Sequence, residues 1–330
     1  MLYVQGQHGF GDCIHARAVI RQLLKAGKQI TLETSWPSLY HDLVGDNFKL
    51  ARRGKVGLHS QDKNSQRESD KFSAMRFGVG MQAMRVAYSG QQVLRSPSKT
   101  VLEAMCNATG TSYEEADYRI PVPDSWVELL FATLGGLPKS TSEKPWLIYR
   151  PLVARPEWRG SILRNADPAS YYTLFGEIRD RYFVISIADL EAGKEWLAYP
   201  EQEIKADLTF HHGELVCEAL VALFKQSDLV FTSSGFPAIL APAVGTPCIS
   251  IVGGYEYPGC HDSAARFAPY LSIGPRTSCS CWTSTCRQVC DKSFDLTVAR
   301  AKIDKFLSKT VIQISYPQVG VERTQIGAVA

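Results

Sequence analysis

The chain opens on a short apolar run at 2–4, followed by the turn-rich stretch Gly6-Gln7-His8-Gly9-Phe10-Gly11. From Asp12 onward Ile14, Ala18, Leu23 and Leu24 recur close to helical spacing until Gly27, and 29–34 then reads as a second strand. Strand, glycine loop, amphipathic helix and strand in that order predict a parallel sheet with a right-handed crossover. The same alternation restarts late in the chain. Strands are predicted at 146–150, 182–187, 229–232 and 247–252, and helices at 168–181, about 214–226, after Gly235 and at 296–307. Between the two series, GGLPKSTSEK at 135–144 is the clearest linker.

The 330 residues exceed what one core usually organises, since domains run about 100–200 residues. The expected architecture is α/β, with two Rossmann-like doubly wound domains facing a central cleft. A first domain is expected at 1–140 and a second at 141–310, carrying a Cys-rich segment at 260–290 and followed by a tail at 311–330. A hydrophobic fraction of 45% and a charged fraction of 21% exclude collagen, extended coiled coil and wholesale disorder. No apolar run approaches the roughly 18 residues of a membrane span. With no basic and apolar leader, a cytoplasmic location is expected.

A net charge of +3 is too small for the whole molecule to be a nucleic-acid binder. Residues 52–76 differ. They lose the periodicity and hold Arg52, Arg53, Lys55, Lys63, Arg67, Lys71 and Arg76 against Asp62, Glu68 and Asp70. This local excess exceeds the net charge of the whole chain, so a polyanionic acceptor would meet the protein here. An irregular stretch of this length is either a binding loop or a solvated one.

The first loop follows a strand and opens a helix, a position that favours an anion or polar ligand group. Its glycines fit neither the dinucleotide fingerprint nor the Walker loop. Asp12 is either an N-cap or a carboxylate at the mouth of a cleft, with His8 and His15 beside it. The second loop, Thr232-Ser233-Ser234-Gly235-Phe236-Pro237, stands between a strand and a helix and is either a phosphate cradle or a Ser-capped turn. Gly253-Gly254-Tyr255-Glu256 adds a glycine turn at the end of the next strand.

The opening GFGDCIHARAVIRQLLKAG and the later DLVFTSSGFPAILAPAVGTPCISIVGG together resemble the heptosyltransferase-like glycosyltransferases of family 9. The resemblance implies a GT-B fold and a nucleotide-diphosphate sugar bound mainly by the C-terminal half. It also implies Asp12 as catalytic base on the acceptor hydroxyl, with His8, Gly9, Gly11 and His15 on the acceptor side. The donor pyrophosphate would lie at Ser233, Ser234, Gly235 and Phe236. Arg150, Arg155 and Arg159 are candidates for the basic phosphate contact, Arg159 ranked first, and Glu195 for an acid near the ribose. A solvated Glu195 at a helix start is the competing reading.

The chain departs from the family's second motif. Ser233-Ser234-Gly235 stands where Asp-Ser-Gly or Asp-Thr-Gly is common, and Ala238 where a His should fall. His211 and His212 either line the cleft or form a surface pair. Cys279, Cys281, Cys286 and Cys290 could enclose a structural zinc, pack as reduced thiols, or pair as a disulfide. No D-x-D motif occurs, so no metal is expected in catalysis. The expected function is inverting, metal-independent glycosyl transfer to a bacterial surface glycan or a phage-type modified DNA base. A nucleotide-sugar 2-epimerase and a non-catalytic nucleotide or nucleic-acid binding module remain as alternatives.

Overall fold

The computed structural model describes the whole chain except residues 8, 55–57, 75–79, 136–143, 157–163, 283–290 and 312–330. His8, Arg159, Cys286 and Cys290 therefore lie outside the described residues, as do most of the expected linker and nearly all of the tail. The first half runs β1 (Leu2–Gly6), α1 (Phe10–Lys25), β2 (Ile30–Thr34), β3 (Phe48–Arg52), α2 (His59–Arg67), β4 (Gln82–Val86), α3 (Gly90–Arg95), α4 (Val101–Thr109) and α5 (Asp124–Thr133). The second runs β5 (Trp146–Tyr149), β6 (Val153–Ala154), α6 (Pro168–Arg179), β7 (Phe183–Ile187), β8 (Trp196–Leu197) and β9 (Leu208–Phe210). It continues with α7 (Cys217–Gln226), β10 (Leu229–Thr232), α8 (Pro237–Ala243), β11 (Cys248–Ile251), β12 (Tyr270–Ile273) and α9 (Leu296–Val311).

Two parallel sheets result. The four-stranded sheet has the order β3-β2-β1-β4, and the six-stranded sheet the order β12-β11-β10-β5-β7-β9. The central strands β5, β10 and β11 are buried at every residue. This is why they read as unbroken apolar runs rather than alternating ones. Connections leave the two sides of each sheet at β1/β4 and at β5/β10. These are the switch points where loops diverge and leave a crevice at the carboxyl ends.

One apolar core runs through both halves, from Val4, Ile14 and Leu32 to Ile148, Val221 and Leu240, while a second covers the other face of the larger sheet around Tyr171, Phe175 and Phe231. Helix α1 packs on α8 where Gly11 meets the other half. A Cβ added at Gly11 would lie 3.2 Å from Ile239 Cγ1 and 3.4 Å from the Phe236 Cα.

The expected irregular stretch at 52–76 contains α2 and a 3-10 turn at Ser69–Lys71. Helix α2 escapes the hydrophobic pattern because it buries polar side chains: Gln61, Asn64 and Ser65. Asn64 Nδ2 donates to the Ser35 carbonyl at 2.7 Å, which replaces apolar contact with a satisfied hydrogen bond. Among the described residues no helix is long and apolar enough to cross a membrane.

A Gly to Ala change inside a helix ordinarily stabilises by about 1 kcal/mol. At Gly11 the sign should reverse, because Ile239 is 2% exposed and has little room to move. Gly11→Ala should lower unfolding free energy by about 1 kcal/mol, and Gly11→Val by up to about 3. Chemical denaturation in a double-mutant cycle with Ile239→Ala, which removes the contacting Cγ1, checks this: Gly11→Ala should cost less in that background.

Candidate functional site

Loops after β1, β5 and β10 converge on one cavity of about 500 Å³, lined from the first half by Gln7, Gly9, Asp12, His15 and Tyr88. From the second half it receives Arg150, Arg155, Arg164, Ser233, Ser234, Gly235, Phe236 and Glu256.

Asp12 sits in the first turn of α1, and Gly9, with extended backbone, holds the N-cap position. The N-cap reading of Asp12 is thus incorrect, and the reason is local. A Cβ at Gly9 would lie 2.7 Å from Asp12 Oδ2, so the glycine makes the space that the carboxylate fills. Tyr88 Oη donates to Asp12 Oδ1 at 3.1 Å. Enclosure pushes the Asp12 pKa up to about 6, against the lowering effect of the Tyr88 bond and of Arg164. The carboxyl therefore titrates where a proton acceptor working near neutral pH should.

His15 lies deeper than the acceptor-side expectation suggested. It is 1% exposed and stacks on His261 with ring centroids 5.8 Å apart. Burial holds both imidazoles below their ordinary pKa, His261 at about 4. They line the cavity as neutral rings.

On the opposite wall, Arg150 follows β5 and Arg155 follows β6. The short antiparallel pairing of β6 with β8 sets Ala154 opposite Trp196, which brings Glu195 beside these arginines. Arg150 contacts Glu195 Oε1 at 3.3 Å, and Arg155 contacts Oε2. Glu195 is 1% exposed. The solvated helix-start reading of Glu195 is corrected: it is the buried counter-ion of the two arginines, behind the residues that line the cavity. The Arg150 guanidinium also lies 4.9 Å from the centre of the Phe236 ring. Ser233 Oγ is buried with no hydrogen-bond partner among the described residues.

Sequence reasoning missed Tyr88, Arg164 and Glu256. Arg164 pairs with Glu256 Oε1, which puts a basic group beside Asp12. The signal for Arg164 was its place in the same arginine-rich stretch as Arg150 and Arg155. For Glu256 it was the glycine turn after β11. His211 is buried and bonded to Ser186 Oγ at 2.7 Å, His212 is exposed, and neither lines the cavity.

Lys55 and Arg76 lie outside the described residues, and among the described residues the cations of 52–76 are engaged. Lys63 bonds Asp189 at 2.6 Å, Arg67 donates to the Gly213 carbonyl at 2.7 Å, and Lys71 pairs with Glu68 and Glu218. Arg53 donates to the Gly6 carbonyl at 3.1 Å. The segment is a clasp between halves rather than an open basic surface, although Ser60, Lys63, Asn64 and Arg67 still reach the cavity wall.

Of the expected cysteine cluster, Cys279 and Cys281 have sulfurs 3.1 Å apart. Among the described residues, those close enough to share a cation are Glu256, Cys260 and His261, each offering a ligand-type atom within 4.8 Å of the others.

No protein-family model and no curated protein matches the chain. Solved structures do. The iron-containing dodecameric glycosyltransferase TibC from enterotoxigenic E. coli superposes with a TM-score of 0.56 at 14% identity, covering 95% of this chain and 76% of that one. The ADP-heptose lipopolysaccharide heptosyltransferase II of E. coli gives 0.55 at 13% identity, covering 94% of this chain and 98% of its own. A family 9 glycosyl transferase from Veillonella parvula gives 0.51 at 14% identity, with 82% and 85% covered.

The chain has the GT-B fold. This bears out the expected pair of Rossmann-like units facing a cleft, and in the GT-B arrangement the cavity between Asp12 and Arg150 is that cleft.

Glu195→Ala would leave Arg150 and Arg155 without their buried counter-ion. Loss of one partner of such a pair should cost about 3 kcal/mol or more. The urea midpoint should fall accordingly, and Glu195→Gln, which keeps an acceptor oxygen, should fall less.

Proposed function

We propose that this chain transfers a sugar from a nucleotide-diphosphate sugar to a hydroxyl acceptor, with inversion and without a catalytic metal. The observation that carries the reading is the opposition of Asp12 to Arg150 and Arg155 across one cavity, whose size of about 500 Å³ suits a small-molecule ligand. The donor is taken to be an ADP-sugar first, since two similar structures are named for ADP-heptose.

In this reading the donor diphosphate lies against Arg150, Arg155 and the turn Ser233-Ser234-Gly235-Phe236. The buried Ser233 hydroxyl is free to donate to it. Asp12 takes the proton of the acceptor hydroxyl while the acceptor oxygen forms its bond to the anomeric carbon. The bond from that carbon to the diphosphate breaks on the opposite face, and the electron pair leaves with the diphosphate. Two guanidiniums in a half-closed cavity stabilise that charge, the role a bridging metal has elsewhere. The domains expected at 1–140 and 141–310 then correspond to acceptor and donor sides, within a cytoplasmic enzyme.

A surface glycan is the favoured acceptor over duplex DNA, because the α2 cations that would meet a polyanionic backbone are engaged within the protein.

Purified protein with ADP, other nucleoside diphosphates and their sugars should show a thermal shift only with the matching nucleotide, equivalent to about 2.7 kcal/mol at 100 times the dissociation constant. Asp12→Asn should keep that shift and lose about 10²–10⁴-fold in transfer rate. Because the carboxyl must be ionised to accept a proton, wild-type activity should fall below pH 6, where Asp12 protonates. Full transfer by Asp12→Asn would remove the assignment.

A further inference from the structure

We propose that Tyr88 is a positioning residue for the transfer step, its hydroxyl aiming the Asp12 carboxylate and holding it ionised. The proposal rests on the reading of Asp12 as the base and goes beyond it by naming what equips that base.

Topology accounts for the meeting of the two side chains. Strand β4 lies beside β1 on the side opposite β2, so the loops leaving β1 and β4 part at the switch point of the smaller sheet. Tyr88 comes two residues after β4 and Asp12 stands in the first turn after β1, 76 positions apart in sequence and 3.1 Å apart in space. The tyrosine is itself held. Gln7, in the loop after β1, donates to the Tyr88 carbonyl at 3.0 Å. The Tyr88 ring meets Trp282 edge-on, with centroids 6.0 Å apart at an angle of 74°. Trp282 in turn donates its backbone N–H to the Tyr255 carbonyl at 3.3 Å. A hydroxyl fixed from both sides of the cleft can aim a carboxylate.

Of the groups that favour the Asp12 carboxylate, this hydroxyl comes first, ahead of Arg164 and the Gly9 backbone N–H. Arg164, from the segment before α6, favours the carboxylate, and Glu256, after β11, opposes it. They are bonded to each other and act on Asp12 in opposite senses. His15 and His261 are neutral at working pH, and the Cys13 thiol is pushed up to about 12 by burial and so stays protonated. Tyr88 keeps its own proton, since burial drives its pKa well above the ordinary value. It is therefore a donor throughout the working range, and a donor to a carboxylate favours the charged form.

The test is Tyr88→Phe, which keeps the ring against Trp282 and deletes only the hydroxyl. Losing the donor raises the Asp12 pKa, so the acid limb of the kcat profile should move toward higher pH by about one unit. Activity on that limb should then fall about tenfold further than at pH 8 and above, where only the pH-independent loss of aim remains, and the donor KM stays unchanged. Nuclear magnetic resonance of carbon-13-labelled aspartate should show the same shift in the titrating carboxyl, without any turnover. An acid limb and a carboxyl titration both unmoved in Tyr88→Phe would overturn the role of Tyr88 while leaving Asp12 as the base. Full activity of Asp12→Asn would overturn both.

Discussion

Gly11 lets the first turn of α1 lie against the start of α8, with Ile239 Cγ1 only 3.2 Å from where a side chain would begin. The arrangement of the site depends on this approach. It brings the loop after β1 to the loop after β10, so that Phe10 and Phe236 meet with ring centroids 5.1 Å apart. A bulkier residue at 11 would push the halves apart and part Asp12 from the arginines. Gly9 serves the neighbouring need by leaving room for the Asp12 carboxylate. The two glycines of the opening motif thus act through packing: one admits a helix and the other a carboxylate.

Charge is arranged on either side of this contact in pairs that cross elements. Glu195 neutralises part of Arg150 and Arg155, and Glu256 answers Arg164. Each arginine is held by a carboxylate that also limits its motion, which gives a fixed field at low reorganisation cost when a charged group forms in the cleft. The clasp of α2 onto the second half, through Lys63 with Asp189 and Arg67 with Gly213, holds the opposite rim in the same way.

Four strands of the larger sheet, β5, β7, β10 and β11, were legible in the sequence because they are almost wholly buried and leave continuous apolar runs, whereas the half-buried edge strands β9 and β12 were not. The two glycine loops were legible because each stands between a strand and a helix. Helix α2 was hidden by its polar buried face, and β4 by its mostly exposed side chains. The part played by Glu195 depends on the β6–β8 ribbon, two residues wide, which is too short to leave a periodicity. Tyr88 was beyond reach for a different reason. Its partner is fixed by strand order, which hydrophobic pattern alone does not encode.

The apolar core that passes from Val4 and Leu32 to Ile148 and Leu240 has a consequence for folding. Halves that share one contiguous core should open together rather than as independent cooperative units. Such a chain completes its tertiary structure late in synthesis, after the strands of its second half have emerged. Separation of two autonomous bodies about a linker would expose that shared core to water.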